Sequence, residues 1–98
     1  MKKNEELYAV KIPGEIAHIV IIQTKDDERR IERIRVDNIT GVKMTDLSGE
    51  NKEFEIVIQT EQPIEPITVN DKELADNLFT WIECVIEGKD IDGIEYEL

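Results

Sequence analysis

The stretch Val69 to Asp90, VNDKELADNLFTWIECVIEGKD, reads as one complete helix and sets what the rest of the chain must supply. Asn70 is a good N-cap, and Glu73 stands three residues on in an N-x-x-E form of the capping box. Val69 and Leu74 suit a hydrophobic staple across that cap. Asp71 and Glu73 fit the positive end of the helix dipole, and Gly88 supplies a left-handed stop followed by Lys89. The pattern predicts a helix from about Asp71 to Glu87. At about 100° per residue, Leu74, Ala75, Leu78, Phe79, Trp81, Ile82, Val85 and Ile86 share one arc of roughly 160°. Leu78, Ile82 and Val85 are the expected docking residues, with Phe79 and Trp81 at the margins. Glu73, Asp76, Thr80, Glu83 and Glu87 take the opposite side, and Cys84 falls toward it. So broad an arc suits a helix lying on a sheet rather than a coiled coil.

The sheet comes before the helix. Leu7 to Ile12 reads as a first strand, ended by the turn dipeptide Pro13-Gly14. Ile16 to Thr24 is apolar on both faces, since Ile16, Val20 and Ile22 alternate with Ala17, Ile19 and Ile21. That suits a central strand, or one whose second face meets a partner. Lys25-Asp26-Asp27-Glu28 is a polar turn. Arg29 to Val36 stays open between strand and short helix: Ile31 and Ile34 are three apart, as a helix favours, and a bulge near Glu32 restores alternation. Val42 to Leu47 and Glu53 to Thr60 flank the loop Ser48 to Lys52, which sets Asp46 against Phe54, Met44 against Ile56 and Val42 against Ile58. Val42, Met44, Phe54, Ile56 and Ile58 then face inward, and Lys43, Thr45, Glu53 and Glu55 outward. Gln62-Pro63 turns the chain into a short last strand, Ile64 to Val69, which Pro66 confines to an edge. Asp90 to Leu98 is an acidic tail in which Ile94, Tyr96 and Leu98 alternate as a further strand would.

The expectation is a single domain over 1–98, with strands over about 6–69, a helix over about 71–87 and the tail at 90–98. Its class is α+β: an antiparallel sheet or partly open barrel of about six strands, with one C-terminal amphipathic helix packed on it. Two stretches carry a resemblance. In IERIRVDNITGVKM one strand bends through a short Asn-Ile link into the next, and FEIVIQTEQPIEPITVNDKELADNLFTWIECVIEG runs strand, turn, strand, capped helix. This arrangement resembles the pleckstrin-homology superfold, in particular its small bacterial PH-like domains. The likeness is one of topology over about two-thirds of the chain. It departs from the family in having six strands before the helix where seven are usual. What it implies is scaffolding or ligand binding rather than catalysis.

Of 98 residues, 40% are hydrophobic and 36% charged, with a net charge of −11, which fits one modest core under a strongly acidic surface. That charge repels nucleic-acid phosphates and anionic lipid, so neither direct nucleic-acid binding nor membrane binding is expected. Cys84 is the sole cysteine, which excludes an intramolecular disulfide and suits a reducing compartment. In MKKNEELYAV, Asn4, Glu5 and Glu6 interrupt what would be the apolar core of a signal peptide. The longest apolar run, Ile19 to Ile22, is four residues. The expected localisation is cytoplasmic.

No catalytic motif stands out. His18 is the sole histidine and Cys84 has no histidine nearby; the five glycines are scattered singly. Asp26-Asp27-Glu28 lacks the ligand spacing of an EF-hand loop. Neither an enzyme, a metal nor a cofactor is expected. Two charged groupings are candidates instead. Arg29, Arg30, Arg33, Arg35 and Lys43 are five of the twelve basic residues. Arg33, Arg35 and Lys43 form a candidate anion site for a phosphorylated small molecule or an acidic peptide, since guanidinium forks hold phosphate and carboxylate bidentately. The plainer alternative is cross-strand pairing with Glu32, Glu53 or Glu55. Glu73, Asp76, Glu83 and Glu87 form a candidate acidic face for a partner, continued by Asp90, Asp92, Glu95 and Glu97 of the tail.

The leading expectation is a non-catalytic binding module acting through protein–protein contacts, with a basic protein or a second copy as partner. Ile16 to Ile22 and the edge strand after Pro63 are the candidate association surfaces. The competing expectation is a phage-type inhibitor of a host defence system, either an acidic DNA mimic or a sequestering protein for a phosphorylated signal molecule.

Overall fold

Alternating apolar residues build seven strands from the described part of the chain. The computed structural model describes residues 5–25, 27–47, 53–89 and 92–97, with the backbone alone for 95–97. The elements are β1 (Glu5–Ile12), β2 (His18–Lys25), β3 (Glu28–Arg35), a 3-10 turn (Val36–Asn38), β4 (Ile39–Leu47), β5 (Glu53–Thr60), β6 (Ile67–Val69), α1 (Lys72–Ile86) and β7 (Ile94–Glu97). They form two antiparallel sheets, one ordered β3-β2-β1-β7 and the other β4-β5-β6. No ladder joins the two among the described residues, so the α+β fold is a pair of sheets with a helix and not a closed barrel. Six strands precede the helix, as the sequence suggests, and the acidic tail adds a seventh beside β1.

Several local readings need correction. β2 starts at His18 because residues 13–17 make the turn, which leaves Ile16 exposed. β3 is a strand with an unbroken ladder to β2, from Lys25 opposite Glu28 to His18 opposite Arg35, so no bulge sits at Glu32. Ile34 opposes Ile19 in the core while Ile31 opposes Ile22 on the other face. A helix-like spacing arose because the two isoleucines serve opposite faces. The register shift lies instead between Ile39 and Gly41 of β4. β6 is shorter than expected, beginning after Pro66, which has no N–H to give a ladder. The β4–β5 register matches the sequence reading at Asp46–Phe54, Met44–Ile56 and Val42–Ile58. Phe54, Ile56 and Ile58 are buried, whereas Met44 is exposed. The loop at 48–52 and the turn residue Asp26 lie outside the described residues.

The chain passes from the first sheet to the second through the 3-10 turn, where Val36 N–H donates to the Ala17 carbonyl at 2.9 Å. α1 then packs against all three strands of the second sheet and against β7. Leu74, Ala75, Leu78, Trp81, Ile82 and Val85 are buried with Leu7, Ile19, Ile21 and Ile34 of the first sheet and Ile56, Ile58, Ile67 and Val69 of the second. Trp81 lies inside the core rather than at its margin, while Phe79 is half-buried. Its indole N–H donates to the Asp92 carbonyl at 2.9 Å, which fixes the chain leaving the helix as it returns to β1. Gly93 follows, where a Cβ would stand 2.6 Å from the Ala9 carbonyl oxygen. Only glycine lets the backbone approach that closely.

The helix ends also differ from expectation at one side. The N-cap is Asp71, not Asn70: the Asp71 carboxylate accepts from Leu74 N–H at 2.9 Å, and Glu73 is an exposed first-turn residue. Asn70 instead accepts from Lys25 Nζ at 3.5 Å. At the other end Gly88 has φ +79, its N–H donates to Val85 O at 3.1 Å, and Lys89 N–H donates to Cys84 O at 3.0 Å. Those two bonds are a Schellman stop.

Two stability predictions follow from this packing. Leu78→Ala should lower the unfolding free energy by about 2–5 kcal/mol, with Glu83→Ala close to neutral, as read from urea denaturation. Asp71→Ala should cost about 0.5–2 kcal/mol in the same assay, because it strands a helix amide, and Asn70→Ala should cost clearly less.

Candidate functional site

Strand pairing assigns each residue of the first sheet to a face. Leu7, Ala9, Ile19, Ile21 and Ile34 point into the core. The other face carries Glu6, Tyr8, Val10 and Ile12 from β1, with His18, Val20, Ile22 and Thr24 from β2. β3 adds Arg29, Ile31, Arg33 and Arg35. Ile31 is 58% exposed, Val10 42%, Ile12 39% and Tyr8 37%, with Val20 and Ile22 half-buried between them. α1 packs on the other sheet and β7, and among the described residues no element covers this face. A shallow depression of about 420 Å³ runs over it, lined by Glu6, Tyr8, Ile22, Thr24 and Arg29.

The expected anion residues are divided. Arg33 and Arg35 share the outer face of β3, opposite Val20 and His18. Lys43 stands on β4 of the other sheet, opposite Val57. The Arg35 guanidinium donates to both Asp37 carboxylate oxygens, at 3.1 and 2.7 Å, so the neighbouring turn supplies its counter-charge. Glu53 and Glu55, suggested by sequence as pairing partners, lie on β5, which shares no ladder with β3.

Arg30 takes a part that the sequence did not single out. It sits on the inner parity of β3, half-buried, 3.3 Å from Glu32. It also donates to the Pro66 carbonyl at 2.8 Å and to the Glu65 carbonyl. Gln23 Nε2 donates to the Thr68 carbonyl at 2.9 Å beside it. With Lys25 and Asn70 these bonds tie the first sheet to the chain around β6, bordering an open groove of about 320 Å³. Glu5, buried at the start of β1, stands opposite Lys25 in the ladder. Position 30 could have been separated from 29, 33 and 35 by strand parity alone.

The acidic helix face keeps its predicted geometry in part. Glu73, Glu83 and Glu87 are exposed and Asp76 is half-buried. Lys72 lies 3.9 Å from Asp76 and Lys89 3.0 Å from Glu87, so two of the four carboxylates have a lysine beside them. The hydrogen bond to Glu87, and then its charge, hold the Lys89 ammonium protonated above the usual lysine range. Cys84, half-buried, borders a groove between α1 and the segment before β7, with Asp76, Thr80 and Gly93.

Among the described residues no group of three or more His, Cys, Asp or Glu is placed to hold a metal ion. Nor is any described helix long and apolar enough to cross a membrane. No family model matches the chain, and no curated protein or solved structure matches it either.

The arginines should separate in a stability assay. Arg30→Ala should lower the unfolding free energy by about 1–3 kcal/mol, because it removes charge-assisted bonds to two carbonyls. Arg33→Ala should stay within about 0.5 kcal/mol of the unmutated chain.

Proposed function

We propose that the chain is a non-catalytic binding module acting through protein–protein contacts, with the outer face of the four-stranded sheet as its contact surface. The observation that carries this reading is the row of exposed apolar residues Tyr8, Val10, Ile12 and Ile31 around Val20 and Ile22. An antiparallel sheet that faces water ordinarily turns polar side chains outward. A contiguous apolar face rimmed by charge is instead the composition of an association site. Two antiparallel sheets with a helix packed after them fit the resemblance to PH-like domains, whose implied role is binding, although β7 follows the helix here. A cytoplasmic setting belongs to the same reading and rests on the sole cysteine.

The competing reading, a phage-type inhibitor, draws on other surfaces. A DNA mimic would use the acidic helix face, where Lys72 and Lys89 already offset part of the charge. A protein that sequesters a phosphorylated signal would use Arg33 and Arg35, the latter engaged by Asp37. The outer face needs no such rearrangement to bind a protein.

A photo-crosslinking residue placed at Val10 or at Glu83 discriminates these readings in cells that encode the chain. Adducts with protein should form from position 10 and be sparse from position 83. Adducts from position 83 alone, with DNA-binding proteins, would transfer the function to the acidic face. A rise in melting temperature with nucleotides, lost in the Arg33→Ala, Arg35→Ala double variant, would favour sequestration.

A further inference from the structure

We infer that the partner docks on this face through an acidic amphipathic helix, its carboxylates along β3 and its apolar stripe on Val10, Val20 and Ile22. The inference rests on the binding-module reading and takes the partner's chemistry from the charge that the face leaves unanswered. A chain with a net charge of −11 favours a basic partner overall, yet this face favours an acidic one. The ladders set Arg29 level with Thr24 and Glu6, Arg33 level with Val20 and Val10, and Arg35 level with His18 and Ile12. Glu6 therefore shares the level of Arg29, and Asp37 in the 3-10 turn holds Arg35. Arg33 has apolar residues alone at its level on β2 and β1. β7 pairs with β1 only from Glu6 to Ala9, so it stops short of that level. Among the described residues Arg33 is exposed and in no ion pair. A guanidinium beside exposed apolar side chains offers a carboxylate a charge-assisted fork where a closed contact excludes water.

The dimensions suit one helix. β1, β2 and β3 are eight residues each. At about 4.8 Å spacing and about 3.4 Å rise they offer a strip roughly 14 Å wide and 27 Å long. A single helix, about 10–12 Å across, fills that width, and about 18 residues fill the length. α1, with fifteen residues, packs on the second sheet in the same way. In a second copy α1 cannot supply the stripe, because Leu74, Leu78, Trp81, Ile82 and Val85 are already buried in its own core. About 400 Å² on each side makes about 800 Å² in all, below a standard interface. The contact is therefore transient, with a dissociation constant on the order of micromolar.

Two synthetic helical peptides of about 18 residues test this, sharing one leucine stripe and differing in whether the flanking positions carry Glu or Gln. Fluorescence anisotropy with the full chain should give the Glu peptide a dissociation constant at least about tenfold below that of the Gln peptide. Ile31→Asn, at the most exposed of the apolar positions, should weaken the Glu peptide at least about fivefold with an unchanged far-ultraviolet spectrum. Arg33→Glu should remove the preference for the Glu peptide. Lys43→Glu makes the same change of net charge on the other sheet and should leave that preference intact. A preference that survives Arg33→Glu, or that Lys43→Glu removes equally, would overturn the inference. So would position-10 adducts joining two copies of the chain, which would give the face to a second copy. Equal binding of both peptides, weakened by Ile31→Asn, removes the acidic chemistry and leaves the module reading standing. Protein adducts from position 10 with no binding of either peptide remove the helix alone. No adducts and no binding would remove both.

Discussion

Leu74, Leu78, Trp81, Ile82 and Val85 have to leave water together, and the fold is arranged around the space in which they do so. Each large apolar side chain fully buried contributes about 1.5–3 kcal/mol, against a net stability of about 5–15 kcal/mol for a domain of this kind. The helix therefore decides whether the two sheets hold together. It packs on β4, β5 and β6 and on β7, so it touches both sheets while belonging to neither ladder. Asp71 at one end and Gly88 at the other settle where that apolar face begins and stops. Trp81 extends its influence further, since its bond to the Asp92 carbonyl directs the chain into β7.

The two sheets depend on this core unequally. The inner face of the first sheet contributes Leu7, Ala9, Ile19, Ile21 and Ile34, and its far end is tied to the β6 region by polar bonds rather than apolar packing. Hydrogen bonds from Arg30 and Gln23 to backbone carbonyls are directional, so they set the placement of one sheet on the other where side-chain packing is thinner. Spending one face of β1, β2 and β3 on the core leaves their second face open, and that face is apolar where water would favour polar residues.

Edges and faces carry different risks for such a sheet. β3 ends the first sheet with Arg29, Arg33 and Arg35 on its outer face, charge that disfavours pairing with a like strand. Pro66 limits β6 at the edge of the second sheet. With one edge charged and another shortened, the broad apolar face is the surface left for the proposed contact.

Local chemistry made much of this legible in advance. The helix from its cap region to Gly88, the β4–β5 register and the two-sided character of Ile19 to Ile22 follow from periodicity, from turn residues and from one stop signal, all of which act over a few residues. The seventh strand was visible as alternation at Ile94 and Tyr96. Asp71 and Asn70 are both good caps, and local pattern does not separate them. Lys25, forty-five residues away, engages Asn70 and leaves Asp71 to bond Leu74. The arginine cluster shows the same limit. Sequence places five basic residues within fifteen positions, but strand parity sends Arg30 inward and the sheet change at the 3-10 turn carries Lys43 to another ladder. Which arginines share a surface depends on pairing between residues distant in sequence. Such pairing is decided by burial of the common core, which no short window of residues encodes.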